Sequence, residues 1–196
     1  MALKSTERTL RKCMRKLLRE KHLSKITIRE ICETAEIGNR TFYRYYSDKY
    51  ALFEDTYIKE FYEKLDITDD MYIYEIYKRI LFQIYDEKEF FTHTIAVKGQ
   101  NGFCEILEEL LVPHISSLLT KDSYIDKAKD YFIRRDIQTA LLMIEDWIKT
   151  DFNKPPEEFS EFIRLCAALH GKWEYQIAMK DTPDDYTLEK FLNSEW

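Results

Sequence analysis

A short stretch in the first quarter of the chain collects side chains that can hydrogen-bond to nucleic acid. At 100° per residue, a predicted helix over 40–46 turns Arg40, Thr41, Tyr43 and Arg44 away from its apolar face. An arginine can donate two hydrogen bonds to one guanine, so Arg40 and Arg44 are candidates for contacts with base edges. Thr41, on the same side of the helix, is a third candidate. A solvated helix face would contain the same residue types, so these residues alone do not distinguish a nucleic-acid contact from an ordinary exposed surface.

We find no pattern in the sequence that indicates catalysis or a bound metal. There is no Ser-His-Asp, Cys-His or His-Glu-x-x-His arrangement and no Gly-rich phosphate loop, so we do not expect an enzyme. The 4 cysteines form no C-x-x-C pair, and the 4 histidines are scattered along the chain. We interpret the cysteines as reduced core residues and expect neither a metal site nor a cofactor.

Two short predicted helices joined by a tight connection would position these side chains. Residues 27–30 read Thr-Ile-Arg-Glu, a capping box in which a hydroxyl starts a helix and a carboxylate follows three residues later. The connection covers 36–39, and we expect the Asn39 side chain to cap the next helix. On that helix Phe42 and Tyr46 share one face, which we assign to the core. Two short helices joined in this way are typical of a helix-turn-helix.

The charge is distributed unevenly along the chain. Residues 1–49 carry 13 Lys+Arg and 6 Asp+Glu, whereas residues 50–196 carry 17 and 30, so a total of −6 divides into +7 and −13. A basic head on an acidic body favours nucleic-acid binding by the head. Lys49, in the first turn of the fourth predicted helix, is either a tolerated surface lysine or a phosphate ligand. The first predicted helix, over 6–21, presents cations that either are solvated or contact phosphates: Arg8, Arg11, Lys12, Arg15, Lys16 and Arg19.

Composition and hydrophobic spacing predict an all-α chain of about nine helices. Only 4 Gly and 4 Pro occur in 196 residues, which argues against β-sandwiches and barrels because those folds need many tight turns. Neither a signal peptide nor a run of about 18 apolar residues is present, so we expect no membrane contact. The later predicted helices lie over 71–85, 87–97, 103–119, 126–150 and 156–179, with one more short helix near 188–193.

Residues 6–61 closely resemble the TetR family of bacterial transcription regulators. The resemblance rests on the runs ITIREIC from 26, AEI from 35, TFYRYY from 41 and DKYALF from 48. It implies an all-helical homodimer with a DNA-binding head, placed at 1–49, and an effector-binding and dimerisation domain, placed at 50–196. It also implies that Tyr43 and Tyr45 touch phosphates or thymine methyls, and that Thr27 and Lys49 clamp phosphates at two helix starts.

The sequence departs from the family pattern in the connection of the motif. The family usually has glycine in place of Glu36, often serine in place of Gly38, and glycine in place of Arg40. We expect Gly38 to restore the flexibility of the turn, Asn39 to replace the missing cap and Arg40 to add a cation. Residues 140–159 are faintly similar to the dihydroxyacetone-kinase-regulator-like subgroup, and from that similarity we carry over only the role of the last helix pair.

The resemblance implies a regulator, which we expect to be a repressor that binds a palindromic operator and is released by a small apolar or aromatic effector. An alternative is a helical DNA-associated adaptor regulated by a protein partner. An enclosed cavity in the C-terminal domain would favour the effector, and a solid core would favour the adaptor. Core packing explains each candidate effector ligand equally well; these candidates are Tyr72, Tyr77, Phe90, Phe103 and Trp147.

We expect the homodimer to form through the last two long helices, over about 126–151 and 156–179. Two apolar rows are candidates for the interface: Ile133, Ile137, Leu141, Ile144 and Ile148 on the first helix, and Phe159, Ile163, Cys166, Ala167 and His170 on the second. A DNA-binding regulator of this kind is expected in the bacterial cytoplasm, associated with the nucleoid.

Overall fold

The structure is a computed structural model that describes residues 2–68, 71–95, 102–118 and 126–181. Within these ranges the chain is helical and has no strand, so the all-α prediction is confirmed. None of the described helices is long and apolar enough to cross a membrane. The α-helices are α1 Ala2–Glu20, α2 Ile28–Thr34, α3 Asn39–Phe42, α4 Lys49–Glu60, α5 Ile73–Asp86, α6 Lys88–Thr94, α7 Phe103–Leu118, α8 Asp126–Lys149 and α9 Pro156–Asp181. Two 3₁₀ turns occur at Leu23–Lys25 and Tyr62–Leu65.

The observed helices differ from the predicted ones mainly at their ends. Helix α3 ends at Phe42, and the next residues form a tight turn in which Arg44 N and Tyr45 N donate to carbonyls three residues earlier, at 3.2 and 2.9 Å. Helix α4 ends at Glu60, whereas the sequence predicts a helix to about Leu65, and a 3₁₀ turn follows it. The short helix predicted near 188–193 lies outside the described residues.

Helix α1 is the central element of the head. The apolar residues Leu10, Met14, Leu17 and Leu18, whose spacing in the sequence places them on one side of a helix, are buried. Helix α1 contacts α2, α4 and α6. Helices as short as α2 and α3 are not stable alone in water, because nucleating a helical turn costs more than so few hydrogen bonds return. Packing of α2 on α1, and of α3 on α2, therefore holds the two motif helices in place.

The connection between α2 and α3 contains a strained residue, and it is not the glycine. Glu36 has φ 54°, in the left-handed region where a side chain is disfavoured. Gly38 has φ −82° and ψ 155°, ordinary extended backbone, and a Cβ atom there would meet nothing within 4 Å. Our expectation that Gly38 restores the flexibility of the turn was therefore wrong, because Glu36 itself adopts the left-handed conformation.

The caps of the two motif helices also differ from expectation. Thr27 caps α2 as predicted, because its Oγ1 accepts a hydrogen bond from Glu30 N at 3.2 Å. The Glu30 carboxylate, however, pairs with Lys21. The N-cap of α3 is Gly38, so Asn39 is already helical and the prediction that its side chain caps α3 was wrong.

The body is built from helix pairs around two aromatic clusters. Helix α7 packs on α8, and α5 packs on α9. The first cluster, which we name the boundary cluster, joins the head side to α6 and α7 with ring centroids 4.2–6.5 Å apart; it contains Phe53, Tyr57, Phe61, Phe90, Phe91 and Phe103. The second, the Trp147 cluster, contains Tyr85, Trp147, Phe152 and Phe159.

The apolar rows predicted for the dimer interface are mostly inside the protomer. Every member of the α8 row is buried within its own chain, as are Phe159 and Ile163 of the α9 row. These residues pack in the core of the body and cannot face a second copy, so this part of the prediction was wrong. Strong helical periodicity identified the face of each helix that the body itself buries.

Candidate nucleic-acid interface

The helix-turn-helix turns Phe42 and Tyr46 inward and its two arginines outward. Phe42 and Tyr46 are buried in the head, as predicted. Arg40 and Arg44 are exposed, and Tyr43 is 57% exposed with its ring edge-on to Phe42 at a centroid distance of 5.5 Å. The apolar side of this short segment therefore anchors it, and the polar side remains available for a nucleic acid.

The two arginines of this segment differ in how they are held. Arg40 is exposed and forms no hydrogen bond or ion pair with the described part of the chain. Arg44 Nη2 donates to Tyr45 Oη at 3.1 Å, and its guanidinium carbon lies 5.2 Å from the Tyr45 ring centroid. Thr41 is half-buried between them. Each arginine retains N–H donors for an outside acceptor, since a guanidinium has five.

A carboxylate on α4 anchors the end of residues 39–46, which contain α3 and the turn after it and which we name the recognition segment. Tyr46 Oη donates to Asp55 Oδ2 at 2.5 Å, and Arg11 Nη1 of α1 donates to the same oxygen at 2.9 Å. Burial and the Asp55 charge raise the pKa of the Tyr46 phenol well above its ordinary value. This contact fixes the segment against both α1 and α4.

Lys49, for which a phosphate contact stays a prediction, is held inside the head by hydrogen bonds to the main chain. Its Nζ donates to three main-chain carbonyls, Leu23 O at 2.8 Å, Ser24 O at 3.2 Å and Ile26 O at 2.8 Å. An ammonium group has three N–H donors, so all of them are used inside the head. Partial burial lowers the pKa of Lys49. The side chain ties the start of α4 to the turn before Thr27, which itself remains exposed at the start of α2.

The cations of α1 divide into two groups. Arg8, Lys12 and Lys16 are exposed, and none of them forms an ion pair within the described ranges. The other three are turned toward acidic residues of the same chain, namely Arg11 toward Asp55 and Glu60, Arg15 toward Glu60 and Glu87, and Arg19 toward Glu87. Only the first group remains available for phosphates, so half of the predicted basic face has a structural role.

The inward cations join the head to the body at one place. Glu87, between α5 and α6, accepts hydrogen bonds from both Arg15 and Arg19 of α1. Beside this site, His22 Nδ1 donates to His93 O at 3.2 Å and His93 Nδ1 donates to Leu18 O at 2.8 Å. His22 thus bonds to a carbonyl near the end of α6, and His93 bonds to a carbonyl near the end of α1. We call this set of contacts the α1–α6 joint.

The five candidate effector ligands do not form one site. Tyr72 is 82% exposed, so a role as a pocket wall is not supported. Phe90 and Phe103 lie in the boundary cluster, whereas Trp147 lies in its own cluster and donates from Nε1 to Lys154 O at 2.9 Å. Tyr77 is buried, and its hydroxyl has no hydrogen-bond partner among the described residues. Core packing therefore accounts for three of the five, and Tyr77 stands apart.

An open groove of about 850 Å³ runs along the junction of α8 and α9. Apolar side chains, including Met143, Phe162 and Leu165, form part of its lining, and acidic residues such as Asp146 and Glu161 are also present. It is not an enclosed cavity of the expected kind. In the part of the chain that the structure describes, no three His, Cys, Asp or Glu side chains are grouped so that they could hold a metal ion.

Two kinds of candidate residue could not be identified from the sequence. Asp55 and Glu87 were not singled out, because a carboxylate on a solvated face and one that binds a distant arginine have the same sequence context. Four exposed apolar side chains in the described parts of the last two helices were also missed, although their spacing on α9 is visible in the sequence. They are Leu142, Phe162, Leu165 and Leu169.

Comparison with known families matches two parts of the chain. The model "Bacterial regulatory proteins, tetR family" matches residues 15–56, and the model "Transcriptional regulator C-terminal region" matches residues 72–167. Together the matched ranges cover more than half of the chain. No protein of curated function matches it significantly.

Solved structures show the same fold at low sequence identity. "Dihydroxyacetone kinase operon activator DhaS" is 17% identical, with a TM-score of 0.57 over 84% of this chain and 95% of that one. A TetR-family transcriptional regulator from Streptomyces coelicolor is 14% identical, with a TM-score of 0.56 over 98% and 96%. A TetR transcriptional regulator from Rhodococcus sp. RHA1 is 13% identical, with a TM-score of 0.55 over 86% and 97%.

The two family matches fall on the elements described above. The first covers the C-terminal end of α1, the helix-turn-helix and the greater part of α4, and the second covers α5 to the middle of α9. The boundary that we placed between residues 49 and 50 stays a prediction. The chain belongs to the TetR family of bacterial transcription regulators.

Proposed function

We propose that the chain is a homodimeric repressor that reads a palindromic operator through α3 and is released by a small effector bound in its body. The observation that supports DNA reading best is the exposed Arg40, which has no partner in the described chain and lies in the first turn of a tightly anchored segment. A helix in the major groove contacts base edges with its N-terminal residues, and an arginine there discriminates guanine by about 1–3 kcal/mol.

Charge supports docking by the head alone. Arg8, Lys12 and Lys16 of α1 are exposed and can neutralise phosphates beside the groove. The body carries the net charge of −13 counted over residues 50–196, so phosphates repel it. Screening limits this effect to about 8–10 Å at physiological salt, which is enough to orient the final approach.

For the dimer, we propose an interface made of four of the exposed apolar side chains in the described parts of α8 and α9, which we name the dimer stripe: Leu142, Phe162, Leu165 and Leu169. The three α9 members lie at i, i+3 and i+7, one face of a helix. A two-fold interface uses the same patch on both protomers, so two such stripes can cover each other. The adjoining groove, which shares Phe162 and Leu165, would be covered by the same contact. Two heads related by a two-fold axis require an inverted-repeat operator.

Tyr77 supports the effector part of the proposal. Its buried hydroxyl lacks a partner among the described residues, and such a group costs about 1–3 kcal/mol until something hydrogen-bonds to it. A small aromatic molecule with a polar group could supply that hydrogen bond. Binding in the body would act on the head through the α1–α6 joint, where Glu87 holds Arg15 and Arg19.

Repression is the simplest mode for this architecture, because operator occupancy alone blocks transcription and needs no surface for the polymerase. We place the protein in the cytoplasm, on the nucleoid. Capture of sheared genomic DNA of the source bacterium by the purified chain, followed by sequencing, tests the proposal. Enrichment of fragments from promoter regions that share an inverted repeat is the expected result, and capture without any sequence preference would contradict it.

The effector part has its own experiment. A panel of small aromatic compounds is screened for those that raise the melting temperature of the wild type and release the captured DNA. Tyr77→Phe should lose both responses, whereas Glu87→Gln should keep the thermal response and lose the release. Glu89→Gln, an exposed neighbour with the same change of charge, is the control. If no compound acts and a protein partner releases the DNA instead, the adaptor alternative holds.

A further inference from the structure

Tyr45 holds Arg44 at the end of the helix-turn-helix. Its Oη accepts a hydrogen bond from Arg44 Nη2 at 3.1 Å, and the guanidinium lies against the face of its ring. The hydrogen bond from Arg44 and the neighbouring hydroxyl of Thr6, on α1, lower the pKa of Tyr45. The phenol is therefore in contact with Arg44 and lies beside the first helix of the head.

We propose that Tyr45 acts on DNA recognition through Arg44, as the residue that holds the guanidinium of Arg44 in its reading position, with Thr6 fixing Tyr45 in turn. This inference rests on the proposed function and refines it, because the sequence analysis assigned Tyr45 a direct contact with phosphate or thymine. The backbone supports the arrangement, since Arg44 N and Tyr45 N are both bonded within the turn that follows α3.

The physical reason lies in the entropy of a long side chain. An exposed arginine samples many rotamers, and ordering it on binding costs free energy. A hydrogen bond and a cation–π contact in the free protein remove part of that cost before DNA arrives. One of the five N–H donors of Arg44 bonds to Tyr45, and the other four can donate to a base or a phosphate. Arg40 has no such support, so the two arginines differ in preorganisation.

A double-mutant cycle tests the proposal. Affinity for the palindromic duplex that the wild type selects from a random pool is measured for the wild type, Tyr45→Phe, Arg44→Ala and the double variant. Tyr45→Phe keeps the ring and removes only the hydroxyl, and we expect it to weaken binding about 3–10-fold. In the Arg44→Ala background the same substitution should change affinity less than about 1.5-fold, because its effect passes through Arg44.

Two further variants separate positioning from a structural role. Thr6→Val, which removes one hydroxyl at nearly constant shape, should weaken binding in the same direction only when Arg44 is present. Tyr72→Phe removes a phenol hydroxyl from the exposed start of α5 and should leave affinity unchanged. The melting temperatures of all variants are recorded, and we expect those of Tyr45→Phe and Thr6→Val to lie within about 1 °C of the wild type.

The outcomes are distinct. An equal loss of affinity in both backgrounds means that Tyr45 touches DNA itself and overturns the positioning role while leaving the proposed function intact. A Tyr45→Phe variant that binds like the wild type also overturns it. A wild type that selects no duplex contradicts the proposed function, and the positioning role fails with it. We expect Tyr45→Phe to lose affinity only when Arg44 is present, and to show a relaxed preference at one base pair per half-site.

Discussion

Tyr46 donates a 2.5 Å hydrogen bond to Asp55, and this contact attaches the end of the recognition segment to α4. The segment needs such an attachment because α3 itself is only Asn39–Phe42. Asp55 also binds Arg11, so the anchor reaches α1, whose other inward arginines bind Glu87 of the body. Side chains that contact one another therefore link the turn after α3 to the α1–α6 joint.

This anchor should give the head a characteristic alkaline sensitivity. Burial and Asp55 raise the pKa of Tyr46, so the folded chain keeps a proton that the unfolded chain loses near pH 10. The stabilising effect is fully present below pH 10 and is lost as the pH rises above it, by up to about 1.4 kcal/mol per pH unit. Tyr46→Phe should be about 1–2 kcal/mol less stable at pH 8, and this difference should shrink above pH 10. Urea unfolding at both pH values measures it, and a constant difference would contradict the contact.

Lys49 should matter for stability more than for DNA charge neutralisation. Because its three donors bind carbonyls of the head, Lys49→Met should lower the free energy of unfolding by about 1–3 kcal/mol. The slope of log affinity against log salt should stay within error of the wild type, whereas loss of a true phosphate ligand reduces that slope by about one. Lys12→Met, on the exposed face of α1, is the matched control and should show the reverse pattern. A reduced slope for Lys49→Met with unchanged stability would restore the phosphate role.

The connection between α2 and α3 should be stabilised by glycine at position 36 and should not require glycine at position 38. Glu36→Gly relieves the left-handed strain at φ 54° and should stabilise the head by up to about 1 kcal/mol. Glu36→Ala removes the same charge but keeps a Cβ, and it should give no such gain. Gly38→Ser adds a capping hydroxyl where no atom lies within 4 Å of the new Cβ, and it should stabilise by a few tenths of a kcal/mol. Thermal melts check the series; equal effects of Gly and Ala at 36 would rule out the strain.

The dimer stripe should decide the oligomeric state. Phe162→Glu places a charge in the middle of the proposed interface, so the chain should sediment as a monomer at micromolar concentration with its helicity retained. Tyr72→Glu adds the same charge at a still more exposed aromatic residue and should remain dimeric. A Phe162→Glu variant that is still a dimer would place the interface elsewhere.

The sequence predicted those features that depend on local periodicity. The helix order, the buried stripe of α1, the Thr27 cap and the burial of Phe42 and Tyr46 all follow from spacing and capping rules, and the structure confirms them. The exposure of Arg40 and Arg44 follows from the same periodicity, so the candidate site was largely identified by its residue types.

Features that depend on contacts distant in sequence could not be predicted. Whether Lys49 meets a phosphate or three carbonyls depends on where α4 lies relative to Leu23–Lys25, which no local pattern encodes. The same holds for Glu87, which is 72 residues from Arg15 along the chain. On α8 the strongest apolar row faces the core of its own protomer. Periodicity shows that a helix face is buried but not what buries it, so the sequence could not distinguish this core from a dimer interface.

The decisive measurement is the selection of bound duplexes from a random pool, carried out side by side with the wild type and Arg40→Ala. We expect the wild type to select an inverted repeat with a fixed guanine in each half-site. With Arg40→Ala that guanine should lose its preference and affinity should fall about 10–100-fold, whereas Arg29→Ala, which removes the same charge from the exposed face of α2, should select the same repeat. Absence of any enriched repeat with the wild type, or an unchanged repeat and affinity with Arg40→Ala, would contradict the account.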